Sequence, residues 1–345
     1  MPVKRSGARD TFLGVRARAG SIVRRRVPIA HWSDGSPLAL PIIVARGQRP
    51  GPVLYVQGGL HGDELIGVEA ARQVASRFRT RDLRGTLVAI PIANPPAFMS
   101  RQRGWPFEAR GPRDMNRSCP GDAEGPLTSR IAHAIFEGVL PSVDYCIDFH
   151  GGMSGSDEAP FAQIVMLDDP HNTLAKRQRM AEAFGTELIY EMRPREGERN
   201  VVYRGLEFSF AEQARLAGVP TLVVEMGEGG RLSGELIELA VQGVLNIMRV
   251  VGMLKGEPKL PNGRQRFQHV SIARPNRGGT LSLRKKPGER VEAGEVIGQV
   301  ADGLRIVERL RSPGSGIVLR VATAGVTEPG ADCFWVAEIA KRSSK

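Results

Sequence analysis

Gly58-Gly59-Leu60-His61-Gly62-Asp63-Glu64 lies between two stretches of different periodicity. Upstream, Val53-Leu54-Tyr55-Val56 is an apolar run of strand length; downstream, residues 65–74 carry apolar side chains at helical spacing. The heptapeptide therefore occupies a strand-to-helix turn, where its glycines let the backbone pass close to neighbouring chain. His61 and Glu64 are three residues apart, so an imidazole and a carboxylate converge as the chain enters the helix. These are two of the three protein ligands a catalytic zinc site needs, the fourth position being left to water.

The same alternation continues in both directions. Before the turn, Phe12-Leu13-Gly14-Val15, Ser21-Ile22-Val23 and residues 38–44 read as short strands of an N-terminal β segment within residues 1–50. After it come a strand at 86–90, a long irregular stretch from Asn94 to Gly125, a helix at 127–140 and a strand at 143–149. Further strands are predicted at 163–166, 187–190 and 220–224, with helices at 173–184, around 208–216 and at 234–254. Strands alternating with helices over this length predict an α/β sheet covered on both faces. Near Gly256 to Arg264 the helical period ends, and residues 261–345 read as a separate small all-β domain following a catalytic domain at 1–260.

Net charge is +11, which raises the question of nucleic acid. Residues 1–26 carry +7, residues 27–261 carry −3 and residues 262–345 carry +7, so the basic excess lies at the ends and not around the candidate chemistry. Neither a nucleic acid nor a membrane is expected as a partner: there is no apolar run of transmembrane length, and the first residues lack the apolar core of a signal peptide. The reading is a cytoplasmic protein. Cys119, Cys146 and Cys333 are far apart and odd in number, which argues against a disulfide framework and leaves His and carboxylate to hold any metal.

Two later strand ends extend the chemistry begun at His61. The run to Phe149 ends in His150-Gly151-Gly152, and the run to Val224 ends in Glu225-Met226-Gly227-Glu228. In open α/β sheets ligands collect beyond the carboxyl ends of strands. His150 as third ligand completes a two-His, one-Glu set, the set used by zinc peptidases of the thermolysin and carboxypeptidase kinds. Asp148 lies on the same strand face and is placed to orient an imidazole. A zinc site with an open position needs a base; Glu225, at the end of an apolar strand, is the candidate and Glu228 its competitor. An oxyanion needs a fixed cation, and the irregular stretch supplies Arg101, Arg103, Arg110, Arg113 and Arg117. Asn116-Arg117 has the chemistry to clamp a carboxylate.

Gly58 to Glu64, Asn94-Pro95, Asp114-Met115-Asn116-Arg117, Asp148-Phe149-His150-Gly151 and Val224-Glu225-Met226-Gly227 occur in the order and rough spacing of the succinylglutamate desuccinylase/aspartoacylase family, which the chain resembles over about residues 10 to 340. The resemblance implies a zinc carboxypeptidase-like mixed sheet flanked by helices. It also implies one zinc ion on His61, Glu64 and His150, with Glu225 as general base and acid and Asn116 and Arg117 at the substrate carboxylate. Arg103 matches the oxyanion arginine, with Arg110 as a rival because the segment to Asp114 is long. The C-terminal domain resembles the barrel-sandwich hybrid of lipoyl and biotinyl carriers, in residues 291–298 and 312–318. Ala301 to Arg311 holds no counterpart of the modifiable lysine, so a lid or a homo-oligomer contact is expected there instead.

The expected activity is zinc-dependent hydrolysis of the amide of a small N-acyl amino acid or related N-acylated amine. A metallocarboxypeptidase acting on peptides would use the same groups. A non-catalytic binding protein using its basic termini is the reading from another class. Tyr190, Tyr203 and Arg204 are read as loop or core positions that also have the chemistry to line the pocket.

Overall fold

The strand Arg49–Gln57 divides its side chains between two cores: Leu54 and Val56 join one, Val53 and Tyr55 the other. Alternation of this kind is what a strand buried on both faces requires. In the computed structural model the protein is described for residues 10–167, 169–193, 205–261 and 263–339. Around Arg49–Gln57 lie Tyr145–His150 and then Thr221–Glu228 on one side and Arg84–Ile90 on the other, all parallel. Helices Leu65–Gln73, Leu174–Phe184 and Gly234–Val250 cover one face through Ile66, Phe184 and Val244, among others. Helices Leu127–Gly138 and Phe210–Leu216 cover the other through Ile131, Ile135 and Phe210.

Among the described residues thirteen strands join this one mixed sheet. Its outer strand on one side, Ser21–His31, is eleven residues long, well beyond the predicted Ser21–Val23. Arg24, Arg25 and Arg26 are exposed along it. Charge on an edge strand discourages pairing with another chain, and it accounts for part of the basic N-terminal excess. The irregular stretch after Asn94 contains a short helix, Pro95–Ser100, capped by the Asn94 side chain, and a single 3-10 turn, Met115–Arg117, capped by Asp114. Among the described residues, no helix is long and apolar enough to cross a membrane.

The β-rich C-terminal region has its own core of Ile297, Val300, Val318, Phe334 and Val336, and a four-stranded sheet at residues 279–283, 296–301, 306–311 and 326–327. Its remaining strands belong to the large sheet. Gly316–Ala322 pairs antiparallel with Ser156–Val165, placing Arg320 opposite Glu158, and Gln265–Phe267 pairs parallel with Leu188–Met192. Phe161, Tyr190, Phe267 and Ile317 form a joint core at this seam, with the Tyr190 and Phe267 rings stacked at 4.7 Å. Tyr190 is therefore a core residue that also lines the cavity beside the sheet; Tyr203 and Arg204 lie outside the described residues.

Candidate active site

Two glycines shape the turn that starts the site. Gly59 has a φ of +61°, and a Cβ on Gly62 would stand 1.9 Å from the Ala97 carbonyl oxygen. Neither position accepts a side chain without the turn moving. His61 and Glu64 leave this turn buried, and His150 is the last residue of Tyr145–His150, one strand away in the parallel sheet. The three groups converge: Glu64 Oε1 is 2.6 Å from His61 Nδ1, Glu64 Oε2 is 2.9 Å from His150 Nδ1, and the two Nδ1 atoms are 3.1 Å apart.

The outer ring nitrogens are also accounted for. His61 Nε2 meets Asp114 Oδ1 at 3.2 Å, and His150 Nε2 meets Asp148 Oδ2 at 3.2 Å. Asp148 is in turn fixed by Gln57 Nε2 at 2.7 Å, and Gln57 Oε1 accepts from the Tyr55 hydroxyl at 2.8 Å, all inside the core. With each Nε2 donating to its carboxylate, both Nδ1 lone pairs and the Glu64 carboxylate face one point, an all-acceptor set that a cation stabilises. The donor set fits a divalent ion of the zinc kind, and the candidate ligand atoms all lie within 4.8 Å of one another.

The electrostatics follow from burial among opposite charges. Burial works against the Glu64 charge, yet the His61 and His150 imidazoles hold its carboxyl far below the ordinary range. Asp114 is lowered in the same way, against burial, by the His61 hydrogen bond and then by the His61 and Arg103 charges. Burial disfavours the charged His150 ring, but Asp148 and Glu64 outweigh it and raise it well above the usual histidine value. Glu225 goes the other way: burial first, then the Glu158 charge, push it well above the usual carboxylate value, with His150 partly offsetting them.

A cavity of about 1270 Å³ opens over the His–Glu–His group, and Arg103, Asn116, Arg117 and Glu225 line it. Arg103 Nε donates to Asp114 Oδ2 at 2.9 Å, and its Nη1 is 3.9 Å from Glu64 Oε1. Arg101, Arg110 and Arg113 are exposed and line no part of this cavity, so the geometry favours Arg103 over Arg110. Glu228 likewise stands outside it and pairs with Arg231 at 3.1 Å. Asn116 Oδ1 accepts from the Phe210 backbone at 2.8 Å, tying the Asp114 turn to the start of the helix Phe210–Leu216.

Two further wall residues, Arg320 and Trp335, come from the C-terminal region and were not singled out in the sequence, nor was the buried Glu158 that Arg320 meets. The signal for Arg320 was a lone charge inside the apolar run Ile317-Val318-Leu319-Arg320-Val321. Glu158 carries no such signal, because the first half of the strand Ser156–Val165 is polar and broken by Pro160, and composition marks a strand only from Gln163.

Residues 50–251 match the succinylglutamate desuccinylase/aspartoacylase catalytic domain. The chain belongs to the succinylglutamate desuccinylase/aspartoacylase family. It is 30% identical over 290 residues to the N-alpha-acetyl-L-2,4-diaminobutyric acid deacetylase of Halomonas elongata, covering 81% of this chain and 79% of that relative. The product-bound ectoine utilization protein EutE (DoeB) from Ruegeria pomeroyi superposes with a TM-score of 0.80 at 26% identity, over 93% of this chain and 96% of that one. A succinylglutamate desuccinylase/aspartoacylase from Rhodobacter sphaeroides gives 0.80 at 25% identity, over 94% and 97%. As a member of this family the protein has the mixed, helix-flanked sheet and the additional C-terminal strands of its structural neighbours.

Proposed function

We propose that this protein is a zinc-dependent deacylase that hydrolyses the amide bond of a small N-acyl amino acid. The observation that carries the proposal is the convergence of His61, Glu64 and His150 at the floor of a cavity that Glu225 and Arg103 also line. The Halomonas elongata relative, named for removing an acetyl group from an N-acetylated diamino acid, supports an N-acyl amino acid as substrate class. In this reading residues 1–260 form the deacylase domain and residues 261–345 an appended β domain.

His61, Glu64 and His150 would hold the ion, with Asp114 and Asp148 fixing the two rings from behind. When bound, zinc supplies a Lewis acid and a water of lowered pKa. Glu225 takes the proton from the attacking water and delivers it to the leaving nitrogen; burial raises its carboxyl above the ordinary range and makes it a stronger proton acceptor than an exposed carboxylate. Arg103, anchored on Asp114, offers a permanent cation to the carbonyl oxygen as negative charge develops there. Asn116 and Arg117 receive the substrate carboxylate at the cavity wall.

The test is a substrate panel with purified zinc-loaded protein: N-acetyl-2,4-diaminobutyrate, N-acetylaspartate and N-succinylglutamate against dipeptides, read by amine release. Turnover of one or more N-acyl amino acids above the dipeptides is the expected result. Cleavage of dipeptides alone would make the protein a metallocarboxypeptidase. Absence of turnover across the panel, with no zinc retained, would sink the enzyme reading.

A further inference from the structure

Arg320 is the one charged side chain of the strand Gly316–Ala322, and that strand comes from the C-terminal region. Its Nε and Nη2 both reach the same oxygen of Glu158, Oε1, while the other oxygen, Oε2, is buried without a hydrogen-bond partner among the described residues. The guanidinium lies over the Trp335 ring, 4.2 Å from its centroid, and both residues line the cavity. Planar stacking and a two-nitrogen grip are geometries that arginine provides and lysine does not.

Glu158 stands beside Glu225. Its strand runs antiparallel to Thr221–Glu228 with Glu158 opposite Gly227, and a bulge between Glu225 and Gly227 breaks the register at this point. Bulges re-aim side chains next to active sites. Glu225, Glu158 and Arg320 therefore lie on three adjacent strands, the last supplied by a different part of the chain. The charge on Glu158 is also felt by Glu225, and Arg320 opposes it. Without the guanidinium, Glu158 would keep only the neighbouring Glu225 carboxyl as a side-chain partner, and two buried carboxyl groups left side by side would have to move apart or share a proton. Either response changes the neighbour against which Glu225 rests.

We propose that Arg320 is a positioning residue for the reaction: held on the Trp335 ring, it clamps Glu158 behind Glu225 and so sets where the Glu225 carboxylate stands in the cavity. The inference rests on Glu225 being the proton-transfer group. It makes the C-terminal region part of the reaction centre and not only a cover over it.

Four single variants, R320M, R320K, E158Q and E225Q, and the double variant of E158Q with R320M test it, assayed with the N-acyl amino acid turned over fastest and checked for fold by circular dichroism. R320M is expected to lose about 10- to 100-fold in kcat with KM within about twofold, the size of effect that misplacing a reacting group produces. R320K should lie between R320M and wild type, and E158Q combined with R320M should lose less than the product of the two single losses. A crystal structure of R320M should show Glu225 displaced while His61, Glu64 and His150 keep their places, a readout that needs no substrate. Wild-type kcat in R320M, a rise in KM alone, or an unmoved Glu225 would each overturn the inference. Should R320M fail to fold, R320K and E158Q decide on the same criteria. Normal turnover in E225Q would instead overturn the reading of Glu225 beneath it, whereas an inactive E225Q beside a fully active R320M would reject the role of Arg320 alone.

Discussion

His61 and His150 are 89 residues apart in the chain, yet their Nδ1 atoms stand 3.1 Å from each other with Glu64 bridging both. Two lone pairs and a carboxylate at that spacing call for a shared cation, so zinc should stabilise the native protein and not the unfolded chain. At free zinc about 100 times Kd the gain is roughly 2.7 kcal/mol. A thermal-shift titration of chelator-treated protein should show that gain in wild type and none in His61→Ala. Equal zinc content in both proteins by elemental analysis would count against the site.

Asp148 acts on the same centre from the core, through His150 Nε2, and is itself held by Gln57. Asp148→Asn keeps the shape but removes the charge that orients the ring. Zinc affinity is expected to fall about 10- to 100-fold, as it does when such outer partners are changed elsewhere. Competition with a chromogenic chelator measures this directly; an unchanged Kd would mean that Asp148 only fills space.

Glu225→Gln should keep its metal and lose about 10²- to 10⁴-fold in kcat, the usual weight of a general base. The same substitution carries a stability signature. The Glu225 carboxyl is raised above the ordinary 4.5 by burial and by Glu158, so the folded protein holds that proton more tightly than the unfolded chain. The stability this contributes is present below the unfolded carboxylate's pKa and is lost as pH rises through the folded one. In metal-free protein, denaturant midpoints of Glu225→Gln and wild type should therefore coincide near about pH 4 and separate towards pH 8, the variant being the more stable. Midpoints that coincide at both pH values would remove the strained carboxylate from the account.

Gly67→Ala probes the packing beneath the site. An added Cβ would fall 2.2 Å from the Phe149 Cβ, where helix Leu65–Gln73 crosses the strand that ends in His150. Overpacking of this kind costs about 1–3 kcal/mol. Separating helix from strand also parts Glu64 from His150, so zinc affinity should fall together with the unfolding midpoint. A destabilised variant with wild-type zinc affinity would show that the two elements move as one body.

Much of the architecture was legible because local chemistry and global fold agree. The apolar runs at 53–56 and 221–224 are strands for the reason their composition suggests, and the glycine-rich turn that carries His61 and Glu64 is held by close backbone contacts that exclude side chains. Ser156–Val165 and Ser21–His31 are longer than the short apolar runs that mark them because charged residues and a proline interrupt their outer parts, Asp157, Glu158 and Pro160 in the first and Arg24 to Arg26 and Pro28 in the second. Those parts are strand because neighbouring strands supply the hydrogen bonds, and a chain segment does not announce its neighbours.

Residue type and spacing along the chain were enough to propose His61, Glu64 and His150 as the metal-ligating set and Glu225 as the base, and to read the α/β order, since a strand end, a glycine turn and a helix start are local features. Only the folded chain decided that Arg103 and not Arg110 lines the cavity, that Glu228 stands outside it, and that Arg320 enters from the C-terminal strands to meet Glu158. The physical reason is that a side chain's position in a cavity depends on strand pairing between distant segments, and register is set by what each face buries when the sheet is assembled.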